Sequence, residues 1–173
     1  MKLKARAISK TRGVRKGHGV EGTETKREIL DLTSFLPYRL SILSNTVSAA
    51  IAKIYAKRFG LSVPAWRVMA ILAQHPGLSA AGVAERTAMD KVAVSRAVAQ
   101  LLEAGNVERQ VADDDRRRSV LTLSAKGWRI YDEVIPLALR KEAQLLESLS
   151  ADERAAFDHL VTVLTEKART LGE

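Results

Sequence analysis

Asp113-Asp114-Asp115-Arg116-Arg117-Arg118, followed by Ser119-Val120-Leu121-Thr122-Leu123-Ser124-Ala125-Lys126-Gly127, is the stretch on which the reading of this chain turns. Three acids meet three arginines between two short runs of strand character. Val107, Arg109 and Val111 alternate as one strand, and Leu121 and Leu123 as the other. The connection, Ala112 to Arg118, is longer than a tight hairpin needs, which points to use. A pair of helix patterns lies just upstream and ends in Leu101-Leu102-Glu103-Ala104-Gly105. A helix pair followed by a charged hairpin suits DNA. One element enters the major groove, and a thin basic loop reaches the minor groove beside it.

The helix pair is bounded by local signals. Ser79 caps a short helix through Ala88, Met89-Asp90 makes the turn, and Asp90 caps a second helix from Lys91 to about Ala104, stopped by Gly105. On a helical wheel Val94, Ala97, Val98 and Leu101 share one face and must pack inward. The opposite face carries Val92, Ser95, Arg96, Ala99 and Glu103, with Lys91 at its N-terminal edge. Small residues there allow close approach, Ser95 and Arg96 can bond phosphate or base edges, and Val92 can touch a thymine methyl. In the hairpin, Arg117 is the residue expected in the minor groove, aimed by a forked ion pair from Asp115. The candidate DNA-contacting set is therefore Lys91, Val92, Ser95, Arg96, Asp115, Arg116, Arg117 and Arg118. The bland alternatives are an ordinary amphipathic helix and a solvated turn whose exposed ion pairs contribute only about 0–1 kcal/mol. The helix alone does not decide between these readings; a tip this basic beside it does.

Long apolar helices flank this head. One pattern runs from about Asp31 to Phe59, with Leu36, Leu40, Leu43, Val47, Ile51 and Ile54 at steps of three and four. Pro37 either starts that helix or kinks it, and Gly60 ends it. Ser62-Val63-Pro64 opens the next helix, which carries Trp66, Val68, Met69, Ile71 and Leu72 and closes at His75-Pro76-Gly77. A further helix spans Ser124 to Ser148, with Trp128, Tyr131, Val134, Ile135, Leu139, Leu145, Leu146 and Leu149 near its apolar face and a bend expected at Pro136. Ser150-Ala151-Asp152-Glu153 is a capping box that opens the last helix, striped by Phe157, Leu160, Val161, Leu164 and Leu171. Stripes that a small domain cannot bury by itself commonly find a second copy, and a symmetric dimer is the simplest assembly.

Composition narrows the function classes. The chain has 173 residues, 46% of them hydrophobic, which excludes wholesale disorder. Its formal net charge of +8 favours a polyanionic partner. Residues 1–28 hold nine Lys and Arg against three Glu and four glycines, and read as a disordered basic arm: a solvated tail, or an added set of phosphate contacts. There is no cysteine, so disulfides, thiolate catalysis, cysteine redox sensing and cysteine-held metals are excluded. His18, His75 and His159 show no ligand spacing, so no metal and no cofactor are expected. No apolar run approaches the roughly 18 residues of a membrane span and no signal core is visible, so the expected compartment is the cytoplasm. An enzyme would need a nucleophile–base pair, a protected carboxylate pair or a phosphate cradle, and none is present.

Asp115-Arg116-Arg117, then Leu123-Ser124 and Lys126-Gly127, resembles the wing pattern of the MarR (multiple antibiotic resistance regulator) family, with Ser124 in place of the usual threonine. Upstream, Val83-Ala84-Glu85-Arg86, Asp90-Lys91, Val94-Ser95-Arg96 and Leu101-Leu102-Glu103-Ala104-Gly105 fall where that family's helix-turn-helix residues do. Val92-Ala93 departs from the hydroxyl residues many members carry there. The resemblance covers about residues 31–170. It implies a mainly α, winged helix-turn-helix fold and a triangular homodimer whose first and last helices pair between subunits. It also implies a repressor that reads palindromic double-stranded DNA and is released by a small aromatic anion, a phenolic acid or its coenzyme A thioester.

On that pattern the domains are a basic arm over 1–28, a first dimerisation helix over 29–61, the winged head over 62–124 and C-terminal dimerisation helices over 125–173. Residues joining an aromatic wall to a polar anchor at the level between head and dimerisation helices are Tyr38, Arg39, Ser44, Trp66, Arg67, Met69, Trp128 and Tyr131. For Trp66, Met69 and Trp128 the alternative is plain core. The alternative for the whole chain is a nonspecific or architectural DNA binder without an effector. That reading predicts little affinity difference between a palindrome and scrambled DNA.

Overall fold

The computed structural model of the chain describes residues 27–87, 89–111 and 119–172. The basic arm apart from its last two residues, Ala88, and the wing tip with Asp115, Arg116, Arg117 and Arg118 lie outside the described residues; the short helix expected to run through Ala88 ends earlier, at Arg86, with Thr87 as its cap.

Six α-helices and one antiparallel strand pair follow one another in the described chain: α1 (Leu36–Phe59), α2 (Val63–Gln74), α3 (Ala80–Arg86), α4 (Lys91–Glu103), β1 (Val107–Val111), β2 (Ser119–Leu123), α5 (Ala125–Leu146) and α6 (Ala151–Arg169). The fold is mainly α with a winged helix-turn-helix at its centre. The chain divides into two compact units, Met1–Ala49 and Ala50–Glu173.

Most helix starts are local chemistry. The side chains of Ser62, Ser79, Asp90, Ser124 and Ser150 each accept from the backbone N–H three residues on, satisfying one of the donors every helix N-terminus leaves open. At Ser150 the box is complete: its backbone N–H donates to Glu153 at 2.8 Å. That bond, with a second from the Ser150 hydroxyl, holds the Glu153 carboxyl below its usual pKa. Gly60 and Gly105 follow their helices at φ +66° and +67°, where a side chain would be strained.

Of the two possibilities at Pro37 the structure takes the first. α1 begins at Leu36, not near Asp31. Asp31 Oδ1 accepts from the backbone N–H and the hydroxyl of Thr33, at 3.0 and 2.7 Å, which ties these residues into a turn. A short acceptor side chain that captures its neighbours in this way competes with helix. Pro37 then falls in the first turn, where its missing N–H costs nothing.

The core of the second unit collects Tyr55 and Leu61, then Ala65, Val68, Met69 and Leu72 of α2, Val83 of α3, and Val94, Ala97, Val98 and Leu101 of α4. Val107, Leu121 and Leu123 of the strands and Ile130 and Val134 of α5 complete it. α2 is the central element and packs against α3, α4, α5 and β2. The strands pair from Val107↔Leu123 to Val111↔Ser119. β2 is also held on its other edge, where Gly77 N–H donates to the Leu121 carbonyl at 3.0 Å and Leu121 N–H to Leu78 at 2.8 Å. The wing is thus bolted to the corner between α2 and α3.

α5 corrects a second expectation. Its inward line is Gly127, Ile130 and Val134; Trp128, Leu139 and Leu145 are exposed. The helix continues through Pro136. None of the residues of α6 is buried. Among the described residues no helix is long and apolar enough to cross a membrane.

Candidate DNA-binding face

α4 presents two unlike faces. Val94, Ala97, Val98 and Leu101 are buried, as the wheel requires, and Lys91, Val92, Ser95, Arg96, Ala99 and Glu103 are exposed. Val92 leaves 58% of its surface open, a high value for a branched apolar side chain on an otherwise polar face. The helix is anchored at its start by Asp90, whose carboxylate accepts from Ala93 N–H at 2.8 Å. Thr87, buried in the turn before it, donates its hydroxyl to the Ala84 carbonyl at 3.3 Å and closes the end of α3. Beside α4 an open groove of about 230 Å³ is lined by Ser62, Pro64, Ala93, Arg96, Ala97 and Gln100. Gln100 spans this groove, its amide donating to the Gly60 carbonyl at 3.3 Å and accepting from the Ser62 hydroxyl at 3.4 Å. Arg96, exposed on α4, lines the same groove.

The profile of the MarR family matches residues 59–118, the span that carries this helix pair and the first wing strand. The transcriptional regulator HosA of Escherichia coli O157:H7 is 30% identical over 101 residues, covering 58% of this chain and 75% of HosA. The chain belongs to the MarR family. A helix-turn-helix transcriptional repressor of Mycobacterium tuberculosis is 28% identical over 131 residues, covering 75% of this chain and 91% of that repressor. The crystal structure of the regulator PcaV from Streptomyces coelicolor, in complex with its natural ligand, superimposes with a TM-score of 0.66 at 24% identity, over 82% of this chain and 99% of PcaV. As a member of the MarR family the protein is a DNA-binding transcriptional regulator and not an enzyme.

The candidate effector residues fall into two groups. Tyr38, Arg39 and Ser44 lie on the part of α1 that belongs to the first unit, and are exposed there. In the second unit Trp66, Tyr131 and Trp128 form a continuous aromatic row. Trp66 and Tyr131 stack at 5.7 Å between centroids, and Trp128 meets Tyr131 edge-on at 5.6 Å. Met69 is 0% exposed and belongs to the core, the plain alternative considered for it. Trp128 leaves 40% of its surface open and is not core.

The row has an inner member that sequence reasoning missed. Tyr55 stacks on Trp66 at 5.4 Å and is 1% exposed. Its spacing of four from Ile51 was the available signal, overshadowed by Ile54 beside it. Burial pushes the Tyr55 hydroxyl above its ordinary pKa, and the nearby Arg67 guanidinium partly opposes this. Because the folded pKa lies above the unfolded one, the associated stability is present below pH 10 and is lost as pH rises towards the folded value. Urea unfolding of the wild type should therefore weaken above pH 10 more steeply than that of Tyr55→Phe. Parallel pH profiles for the two would remove Tyr55 from the alkaline limb.

Proposed function

We propose that the protein is a homodimeric repressor that reads a palindromic operator through α4 and the wing, and that a small aromatic anion releases it. The observation that carries the DNA reading is the division of α4 into an apolar buried face and a small, hydroxyl-bearing, basic exposed face. Two such helices must sit about one DNA turn apart, roughly 34–36 Å, to engage two half-sites. Exposed apolar stripes on Leu36, Leu40 and Leu43 of α1, and on Phe157, Leu160 and Leu164 of α6, support assembly with a second copy.

The effector reading rests on the row Trp66, Tyr131 and Trp128 with Arg67 on the same helix as Trp66. Aromatic faces stack on a ring and a guanidinium pairs with a carboxylate. PcaV, a similar protein, was crystallised with its natural ligand. A ligand acts here only through different affinities for dimers with different helix spacing.

Two experiments test this function. Release of the protein from its own upstream DNA, followed by fluorescence anisotropy at fixed salt against aromatic acids, phenols and their coenzyme A thioesters, should identify one active class. Specific binding that no compound disturbs would leave the aromatic row as packing without an effector role. Equal affinity for scrambled DNA would favour the architectural alternative. In the second, Arg96→Ala and Arg117→Ala should each weaken operator binding by about 1–3 kcal/mol. Helical content and dimerisation should be unchanged. Undiminished affinity would remove that arginine from the interface.

A further inference from the structure

Lys126 is an exposed cation just after the wing, and by position and charge it would be counted among the phosphate contacts. Its ammonium is engaged elsewhere. Lys126 Nζ donates to the carbonyl of Ala104, the C-terminal cap of α4, at 2.7 Å. The Ser124 hydroxyl donates to the Gly105 carbonyl at 2.7 Å, and Ser124 N–H to the Asn106 carbonyl at 3.1 Å. Three successive carbonyls at the end of α4 are thus each met by a donor from Ser124 or Lys126. Ser124 Oγ also accepts from Gly127 N–H at 2.9 Å and so caps α5. A helix C-terminus exposes carbonyls without partners and carries partial negative charge, so a lysine there is held by charge as well as by a hydrogen bond.

We infer that Lys126 and Ser124 are positioning residues for DNA recognition, clamping the end of α4 to the start of α5 so that α5 sets the angle of the recognition helix. This rests on the reading of α4 as that helix. Its candidate base contacts, Lys91 to Arg96, lie at the far end from the clamp. From Ser95 to Ala104 is about 14 Å along the axis, so a tilt of about 5° at the clamp moves the contacts by about 1 Å. That is enough to misalign hydrogen bonds to base edges. Phosphate contacts by mobile basic side chains tolerate it. The clamp therefore affects sequence discrimination more than general attraction to DNA.

The test uses the full-length protein, a duplex selected by the wild type from a random-sequence pool, and a shuffled duplex of the same composition. Affinities of wild type, Lys126→Met and Lys126→Arg are measured across a salt series. Lys126→Met should weaken the selected duplex roughly 3–10-fold, the scale of one charge-assisted hydrogen bond at a solvent-exposed site. The slope of log affinity against log salt should not change, the shuffled duplex should bind as before, and Lys126→Arg should restore most of the loss. A slope reduced by about 0.9 per lysine, with both duplexes weakened alike, would make Lys126 a phosphate contact and overturn the inference. Unchanged affinity for the selected duplex would overturn it too. If the wild type selects no preferred duplex, the DNA-reading role of α4 fails first and the clamp's role in recognition with it.

Discussion

Replacing Gly127 with alanine is expected to destabilise the protein by about 3 kcal/mol, at the upper end of what overpacking costs. Gly127 is buried in the first turn of α5. A Cβ there would overlap the carbonyl oxygen of Asn106 and lie 3.1 Å from its carbonyl carbon. The obstacle is backbone and cannot swing away. Asn106 is fixed on both sides, its N–H donating to the Leu101 carbonyl at 2.9 Å and its own carbonyl accepting from Ser124 at 3.1 Å. Relief requires α5 to lift from the end of α4, which breaks the clamp and uncovers Leu123 and Ile130. Gly82→Ala is the matched control. The tightest neighbour of its Cβ would be the end of the Leu78 side chain, at 3.2 Å, with the Ser79 hydroxyl in ordinary contact at 3.6 Å, and alanine favours a helix over glycine by roughly 0.8–1 kcal/mol, so that variant should be close to neutral or slightly stabilised. Urea unfolding at one fixed protein concentration distinguishes them, since dimer stability depends on concentration. An unchanged midpoint for Gly127→Ala would mean that the junction between α4 and α5 yields, and that it is no rigid clamp.

The paired change Leu160→Glu and Leu164→Glu is expected to convert the protein to monomers at micromolar concentration. Phe157, Leu160, Val161 and Leu164 are 43–55% exposed on α6, a helix that buries none of its residues within its own chain. Covering such side chains contributes about 1.5–3 kcal/mol each when burial is complete, and a carboxylate in their place carries a desolvation penalty instead. Sedimentation should show loss of the dimer while circular dichroism shows retained helix, because neither side chain is buried within the chain. Operator affinity should fall more than 100-fold, since two half-sites no longer bind as one linked unit. A variant that stays dimeric would place the subunit interface elsewhere.

The short-range features were legible in the residues. Serine and aspartate caps, glycine stops and the capping box at Ser150 act over three or four residues, so their reading needs no knowledge of distant neighbours. The division of α4 into Val94, Ala97, Val98 and Leu101 inside and Lys91, Val92, Ser95 and Arg96 outside followed from its period alone, because its apolar residues admit one packing face. The start of α1 was left open between Asp31 and Pro37, and the structure places it at Leu36, because the Asp31 carboxylate ties Thr33 into a turn.

What periodicity left open was decided by packing between segments far apart in the chain. α5 offers both Trp128 and Ile130 to a core, and α2 and β2 select Ile130, leaving Trp128 at the outer end of the aromatic row. Tyr55 became the row's inner end only because Trp66, eleven positions later, stacks on it. Lys126, which the sequence shows only as part of the wing pattern, is held by the end of α4, 22 residues earlier. The sequence alone determined which elements form and which face of α4 packs inward, because those depend on bonds and periods within a few residues. Tertiary structure alone decided which of several compatible faces pack and which groups hold Lys126, because those depend on partners that only the folded chain brings within bonding distance.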